Sequence, residues 1–129
     1  MFGARILIVD DETVFADTLA HIFANAGYET RAVYSAEQAL ETLSKWVPDL
    51  VIVDVVLPIM NGIDLAIRLK FSHPNVVVMM ISGQLATTSL AEHAAKGGHQ
   101  FNILAKPVPV PELLAGASKL LCRVGYPAG

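Results

Sequence analysis

Side chains that could perform phosphoryl chemistry follow four separate apolar runs of the sequence. Asp10 and Asp11 come after the first run, Asp54 after the second, Ser82 after the third and Lys106 after the fourth. A carboxylate can act as a nucleophile on phosphorus and hold an acyl phosphate. Lysine offers a point charge for a phosphoryl oxygen, and a serine hydroxyl can bond to another. The residue types therefore suit phosphoryl transfer to a carboxylate, provided that the fold gathers them.

Gathering these carboxylates carries an electrostatic cost that a cation can offset. Two carboxylates ~4 Å apart repel each other by about 4 kcal/mol at an effective dielectric constant near 20. Mg²⁺ prefers carboxylate and water oxygens in an octahedral shell, and it neutralises charge in phosphoryl transfer. A site that contains Asp10, Asp11 and Asp54 is therefore expected to take Mg²⁺ as its cofactor.

The elements that would position these residues are short strands buried on both faces. Four apolar runs do not alternate with polar residues, which is typical of central strands in a parallel sheet. A fifth, weaker run alternates more, and we expect it at an edge of the sheet. The central runs cover residues 6–9, 50–53, 76–81 and 103–105, and the edge run covers 28–33.

Helical patterns separate the strands. They are predicted over residues 13–25, 35–46, 61–71, 86–96 and 111–123. Gly27 closes the first, a capping box at Ser35 opens the second, Asn61 caps the third and Pro111 suits the first turn of the last. Regular βα alternation predicts an α/β fold, a flavodoxin-like doubly wound (βα)5 sheet of order 2-1-3-4-5. The ligand site of such a sheet lies at the carboxyl ends of the strands, between strands 1 and 3.

Composition limits the classes of protein that fit. The chain has 129 residues, a net charge of -3, 53% hydrophobic and 16% charged residues. We expect a single domain over 1–129 with a core at about 4–123. The composition disfavours a disordered chain and direct nucleic-acid binding. The apolar runs are too short to span a membrane and no signal peptide is visible, so the expected location is the cytoplasm.

The sequence resembles the receiver domain of bacterial two-component response regulators, of the stand-alone, chemotaxis-regulator-like kind. Four motifs carry the resemblance, at residues 9–12, 54–62, 82–83 and 106–107. They occur in order at the predicted strand ends and cover almost the whole chain. The resemblance implies that Asp54 is the phosphoacceptor. It also implies that Mg²⁺ is ligated directly by Asp11, Asp54 and the backbone carbonyl of Val56, and through water by Asp10.

The resemblance also implies a switch around the phosphoryl group. Ser82 would be the switch hydroxyl that reaches the phosphoryl group, and Lys106 would pair with it. The peptide bond between Lys106 and Pro107 would be cis. Receivers usually place Tyr or Phe three residues before the lysine, whereas this chain has Ile103 there and its nearest aromatic residue is Phe101. The usual aromatic switch is therefore absent, or Phe101 takes its place.

The implied partners are a histidine kinase or phosphotransfer protein and an unknown downstream protein. Phosphorylation would change the helix 4-strand 5-helix 5 face, and homodimerisation stays open. We expect no turnover of an external substrate, because Val56 stands where aspartyl phosphohydrolases have a second Asp. An apolar Val56 also predicts slow loss of the phosphoryl group. A flavin carrier is excluded by the acidic loop at 10–12, and a receiver-like interaction module that is never phosphorylated remains the alternative.

Overall fold

Five parallel strands form one sheet at the centre of the molecule. The computed structural model describes residues 3–83, 102–106 and 108–123. The strand order is β2-β1-β3-β4-β5, as predicted from the sequence. β1 and β3 are therefore neighbours, and the direction in which successive strands are added to the sheet reverses between them. The strands are β1 (Arg5–Val9), β2 (Glu29–Val33), β3 (Leu50–Asp54), β4 (Val77–Ser82) and β5 (Asn102–Ala105).

Four helices are described between and after the strands. They are α1 (Thr13–Asn25), α2 (Ala36–Leu43), α3 (Gly62–Ser72) and α4 (Val110–Arg123). Side-chain oxygens of Ser35 and Asn61 accept bonds from the backbone N–H groups of Gln38 and Asp64, which confirms both predicted caps. The predicted helix over 86–96 lies outside the described residues.

The second helix is shorter than predicted. It ends at Leu43, not near Trp46, and the Trp46 N–H donates to the Thr42 carbonyl in a turn after the helix. Trp46 is buried, and Val47 precedes a proline, which disfavours helical backbone. Burial of the indole and the following Pro48 together explain the early end.

Apolar side chains on the two faces of the sheet form two separate cores. Leu7 and Val9 point into one core with residues of α2 and α3, whereas Ile6 and Ile8 point into the other with residues of α1 and α4. β2 and β5 are the two edge strands of the sheet. β2 is only partly buried, as its weaker pattern predicted, whereas the run over 103–105, expected among the central strands, pairs only with β4 at the other edge. Cys122 is exposed on α4. None of the described helices is long and apolar enough to cross a membrane.

Candidate functional site

The carboxyl ends of four strands bring the predicted chemical residues to one edge of the sheet. Asp10 follows β1, Asp54 is the last residue of β3, Ser82 is the last residue of β4 and Lys106 follows β5. The backbone N–H of Lys106 donates to the Ser82 carbonyl at 2.8 Å, which keeps the ends of β4 and β5 together. The registration expected from the apolar runs is therefore present.

The Lys106 ammonium is the centre of the site. It donates to Asp10 Oδ2 at 3.1 Å, to Glu12 Oε1 at 3.0 Å and to Asp54 Oδ2 at 3.2 Å. It also lies 4.5 Å from the centroid of the Phe15 ring, within the range of a cation–π contact. Burial acts to lower the pKa of Lys106, but its hydrogen bonds to the Glu12 and Asp10 carboxylates and the nearby negative charges raise the pKa overall. Lys106 is therefore firmly cationic.

Asp10 is the most deeply placed carboxylate of the site. Its side chain is fully buried, and its Oδ1 accepts the backbone N–H of Glu12 at 2.9 Å. Desolvation by burial raises the pKa of Asp10 above its ordinary value of 3.8, against the hydrogen bonds from Glu12 and Lys106. Asp10 thus shapes the β1–α1 loop and also holds the Lys106 ammonium.

Asp54 combines burial with access to a cleft. Its Oδ1 accepts the Val56 backbone N–H at 3.2 Å, while Oδ2 faces Lys106. Desolvation by burial raises the pKa of Asp54, the Lys106 charge lowers it, and the Asp11 charge raises it further. The carboxylate is thus held by two donors and is kept from strong solvation, which favours reactivity toward an electrophile.

A cleft of about 340 Å³ opens beside these carboxylates. Carboxylate oxygens of Asp10, Glu12 and Asp54 lie within 4.8 Å of one another. This oxygen-rich donor set fits Mg²⁺, which takes carboxylates and water, and does not suit a metal that prefers sulfur or nitrogen ligands. The residues that line the cleft are Asp11, Glu12, Asp54, Val56, Gly83 and Lys106.

The loop between β3 and α3 fixes the position of Asp54. The Gly62 N–H donates to the Val55 carbonyl at 2.8 Å, and a Cβ at Gly62 would overlap the carbonyl oxygen of Asp54. Ile59 has a φ of 69° and is 95% exposed, an uncommon conformation for a β-branched residue. Val55 and Leu57 are buried, so the loop is anchored on both sides of the exposed Val56.

The structure brings together most of the site residues predicted from the sequence. Lys106 contacts both Asp10 and Asp54, and Asp11 and Val56 line the cleft beside Asp54. Ser82 is buried at the end of β4. Phe101 and Pro107, and with Pro107 the predicted cis peptide, lie outside the described residues. Ile103 is part of β5, but its side chain is not described.

Two contacts of Lys106 were not predicted from the sequence. Glu12 and Phe15 are one helical turn apart at the start of α1, and both approach the ammonium. The acidic loop contained a signal for Glu12, since it directly follows the two aspartates. Nothing in the sequence pattern separates Phe15 from an ordinary core residue of an amphipathic helix.

Comparison with known proteins assigns the family. The family model described as "Response regulator receiver domain" matches residues 6–118. The chain is 33% identical over 132 residues to the DNA-binding transcriptional regulator NtrC of Bradyrhizobium sp. (strain RP501 Parasponia), with 99% of this chain and 27% of that protein covered. It is 32% identical over 119 residues to the DNA-binding response regulator MtrA of Mycobacterium tuberculosis (strain ATCC 25618 / H37Rv), with 92% and 51% covered.

A solved structure agrees with these sequence matches. The response regulator receiver domain protein from Clostridium thermocellum superposes with a TM-score of 0.83 at 26% identity, over 94% of this chain and 96% of that one. The chain spans about a quarter to a half of the length of the two curated relatives. Receiver domains are phosphoacceptor modules of two-component signalling, with an acidic edge that binds Mg²⁺. This chain, with the same sheet and an acidic edge, belongs to the response regulator receiver domain family.

Proposed function

We propose that Asp54 accepts a phosphoryl group in a two-component or phosphorelay signalling system. One observation carries the proposal: the Lys106 ammonium bridges the buried carboxylates of Asp10 and Asp54 at the mouth of a cleft. An ion pair placed there for stability alone has no need of a cleft or of a partly accessible nucleophile. The proposed receiver unit occupies approximately residues 4–123.

The proposed reaction is an in-line displacement at phosphorus. An Asp54 carboxylate oxygen forms a P–O bond to the phosphorus of a phosphohistidine, while the P–N bond breaks and its electron pair stays on the imidazole. Lys106 lies where it can donate to a phosphoryl oxygen as the charge develops. Val56 N–H holds the second carboxylate oxygen and so orients the nucleophile.

The proposed cofactor is Mg²⁺. Asp11, Asp54 and the backbone carbonyl of Val56 would hold it, with Asp10 acting through water. When bound, the ion neutralises negative charge on the carboxylates and on the transferring group. The support is the set of carboxylates, Asp11, Glu12 and Asp54, that line the cleft. Asp10 is better suited to the outer role, because its side chain is fully buried, whereas Asp11 and Asp54 line the cleft.

The proposed response is a shift between two conformations of the fifth strand and its neighbours. Ser82 and Lys106 would both bond to the phosphoryl group, and their backbones are joined by a hydrogen bond across β4 and β5. A ligand that bonds these groups better in one conformation shifts the population toward it. The changed surface would be the helix 4-strand 5-helix 5 face, formed by the helix predicted over 86–96, by β5 and by α4. Ile103 or Phe101 would stand in place of the usual aromatic switch, with a cis peptide between Lys106 and Pro107.

The proposed phosphodonor is a histidine kinase or a phosphotransfer protein, and the proposed receiver of the signal is an unknown downstream protein. We propose no turnover of an external substrate and no direct nucleic-acid contact by this domain, and homodimerisation is one form that the response could take. The proposed location is the cytoplasm. The exposed free thiol of Cys122 is consistent with a reducing compartment.

The test is intact mass after incubation with acetyl phosphate, with and without Mg²⁺. Wild-type protein is expected to gain one phosphoryl group only when Mg²⁺ is present. The control is Asp54→Asn, which keeps the side-chain shape and is expected to gain none. No gain in the wild type, together with no Mg²⁺ binding, would favour an interaction module that is never phosphorylated.

A further inference from the structure

All three N–H donors of the Lys106 ammonium are already used in the resting site. A protonated lysine has three donors, and Lys106 meets three carboxylate oxygens, one each from Asp10, Glu12 and Asp54, at 3.0–3.2 Å. A phosphoryl group on Asp54 needs a donor from the same ammonium. One of the three existing contacts must therefore be released or weakened when the phosphoryl group arrives.

Glu12 is the contact most easily released. Its side chain is 67% exposed, whereas those of Asp10 and Asp54 are 0% and 9% exposed. Asp10 cannot turn away without also losing the Glu12 backbone N–H, which its other oxygen accepts. A change of side-chain rotamer would carry the Glu12 carboxylate away from Lys106 into solvent, where it would be fully hydrated.

We propose that Glu12 is a positioning residue that holds Lys106 in the resting state and competes with the phosphoryl group for its ammonium. This inference rests on the proposed function of Asp54. Phe15 supports the same resting position, because the face of its ring lies against the ammonium one turn further along α1. Together Glu12 and Phe15 make the start of α1 a latch on the lysine that follows β5.

The latch predicts a change that is measurable without metal or phosphoryl group. Glu12→Gln keeps the length of the side chain but removes its charge, which weakens its contact with the Lys106 ammonium and makes the lysine nitrogen more accessible. Labelling of metal-free protein with acetic anhydride, followed by peptide mass spectrometry, is expected to modify Lys106 about threefold faster in this variant than in the wild type. The exposed Lys119 serves as the internal reference. Phe15→Leu, which keeps an apolar side chain, is expected to give a smaller increase.

The latch also predicts tighter binding of a phosphoryl mimic. With Mg²⁺ present, beryllofluoride is expected to bind Glu12→Gln about threefold more tightly than the wild type, because one competitor for Lys106 is gone. This gain should vanish when Lys106→Met is combined with Glu12→Gln, since the effect acts through the ammonium. A general effect of lost negative charge would persist in the Lys106→Met background. Glu41→Gln on α2 makes the same charge change near the other edge of the sheet and should alter neither measurement.

The outcomes separate the latch from the proposed function. Unchanged labelling of Lys106 in Glu12→Gln overturns the latch, whatever happens to phosphorylation. A gain in beryllofluoride affinity that persists without Lys106 overturns it as well. If the wild type neither binds beryllofluoride nor accepts a phosphoryl group, the proposed function is overturned. The role of Glu12 as a competitor of the phosphoryl group is then overturned too, even if labelling of Lys106 changes as expected.

Discussion

For the single residues Asp54 and Asp10, burial and the Lys106 charge act on the pKa in opposite directions. Burial keeps water away from both carboxylates and raises the pKa of each, while Lys106 favours their charged forms. The net direction is upward for both, so burial and mutual repulsion outweigh the single cation. The site is thus strained electrostatically in a way that a bound cation or a neutralised acceptor would relieve.

This strain predicts a pH-dependent stability difference for Asp54→Asn in the metal-free protein. A carboxyl group with a raised pKa in the folded state stabilises the fold at low pH. That stability is lost as pH rises from the unfolded-state value of 3.8 through the raised folded value. The variant lacks this loss, so it should have the higher free energy of unfolding at neutral pH. Urea unfolding between acid and neutral pH measures the difference, and a variant less stable than the wild type at neutral pH would contradict the sign.

Val56 gives a second prediction at the scale of residues. It is 41% exposed and lines the cleft beside Asp54, and its apolar side chain cannot orient a water molecule toward the phosphoryl group. Val56→Asn supplies a hydrogen-bonding side chain there, and we expect the phosphoryl lifetime to shorten by about tenfold, the effect of one hydrogen bond in the transition state. The decay of phosphoprotein mass with time gives the lifetime. Val56→Thr, whose polar group extends less far from the backbone, is the comparison. An unchanged lifetime in Val56→Asn would contradict the role of Val56 in slowing loss of the phosphoryl group.

The aspartates and the lysine were predictable because each directly follows an apolar run, so the end of a strand fixes its place. Glu12 and Phe15 were not, because their approach to Lys106 depends on how α1 lies over the edge of the sheet. Sequence spacing shows that Glu12 and Phe15 lie on the same face of the helix, but it does not show how the helix packs over the sheet. The division between direct and water-mediated Mg²⁺ ligands remains a prediction for Asp10, Asp11 and Val56.

The β3–α3 loop is the element on which the position of Asp54, the proposed acceptor, depends most. Its backbone passes so close to Gly62 that no side chain fits there, and its exposed Ile59 adopts a left-handed conformation with a cost of about 1–3 kcal/mol. Buried Val55 and Leu57 hold the loop in spite of that cost. The loop is therefore built for a fixed position of Asp54.

Gly62→Ala tests the element directly. The added methyl group would overlap the Asp54 carbonyl, so we expect a loss of about 1–3 kcal/mol in stability together with slower phosphorylation. Gly27→Ala is the matched control. It has a φ of 106° and open space around it, so it should lower stability by about 1 kcal/mol through backbone strain and leave phosphorylation unchanged. Equal effects of both variants on phosphorylation would contradict the special role of the loop.

The strands and the helix caps could be predicted from the sequence, whereas the end of α2 could not. Continuous apolar runs of this length fit buried strands and are too short for buried helices, so the strands were predictable. Ser35 and Asn61 cap their helices by local hydrogen bonds, which sequence patterns also indicate. The end of α2 depends on where Trp46 is buried, between Arg5 and Arg31 on neighbouring strands. That contact links distant parts of the chain, so the local pattern could not indicate it.

Across the whole molecule, the candidate site and the single tryptophan lie at opposite ends of the strands. Trp46 donates its indole N–H to Glu29 at the amino ends of the strands, whereas Asp54 lies at the carboxyl ends. A five-residue strand is roughly 15 Å long, which exceeds the Debye length of about 8 Å at physiological salt. The two ends of the sheet are therefore electrostatically insulated from each other.

This separation predicts that Trp46 does not report on the metal. Saturation with Mg²⁺ should change its fluorescence by less than about 5%, because neither its ring contacts nor its local field depend on the acidic edge. Calorimetric titration of the same sample shows that Mg²⁺ has bound. A large fluorescence change at saturation would mean that metal binding reshapes the sheet as far as its amino edge.

The role of Asp54 is tested most directly by locating the phosphoryl group on the protein. Protein treated with acetyl phosphate and Mg²⁺ is reduced with borohydride, which converts an aspartyl phosphate to homoserine, and is then digested and sequenced by mass spectrometry. Homoserine is expected at position 54 and at no other aspartate, and none is expected in Asp54→Asn. Homoserine at position 10 or 11 in the wild type would contradict the assignment of Asp54 as the acceptor.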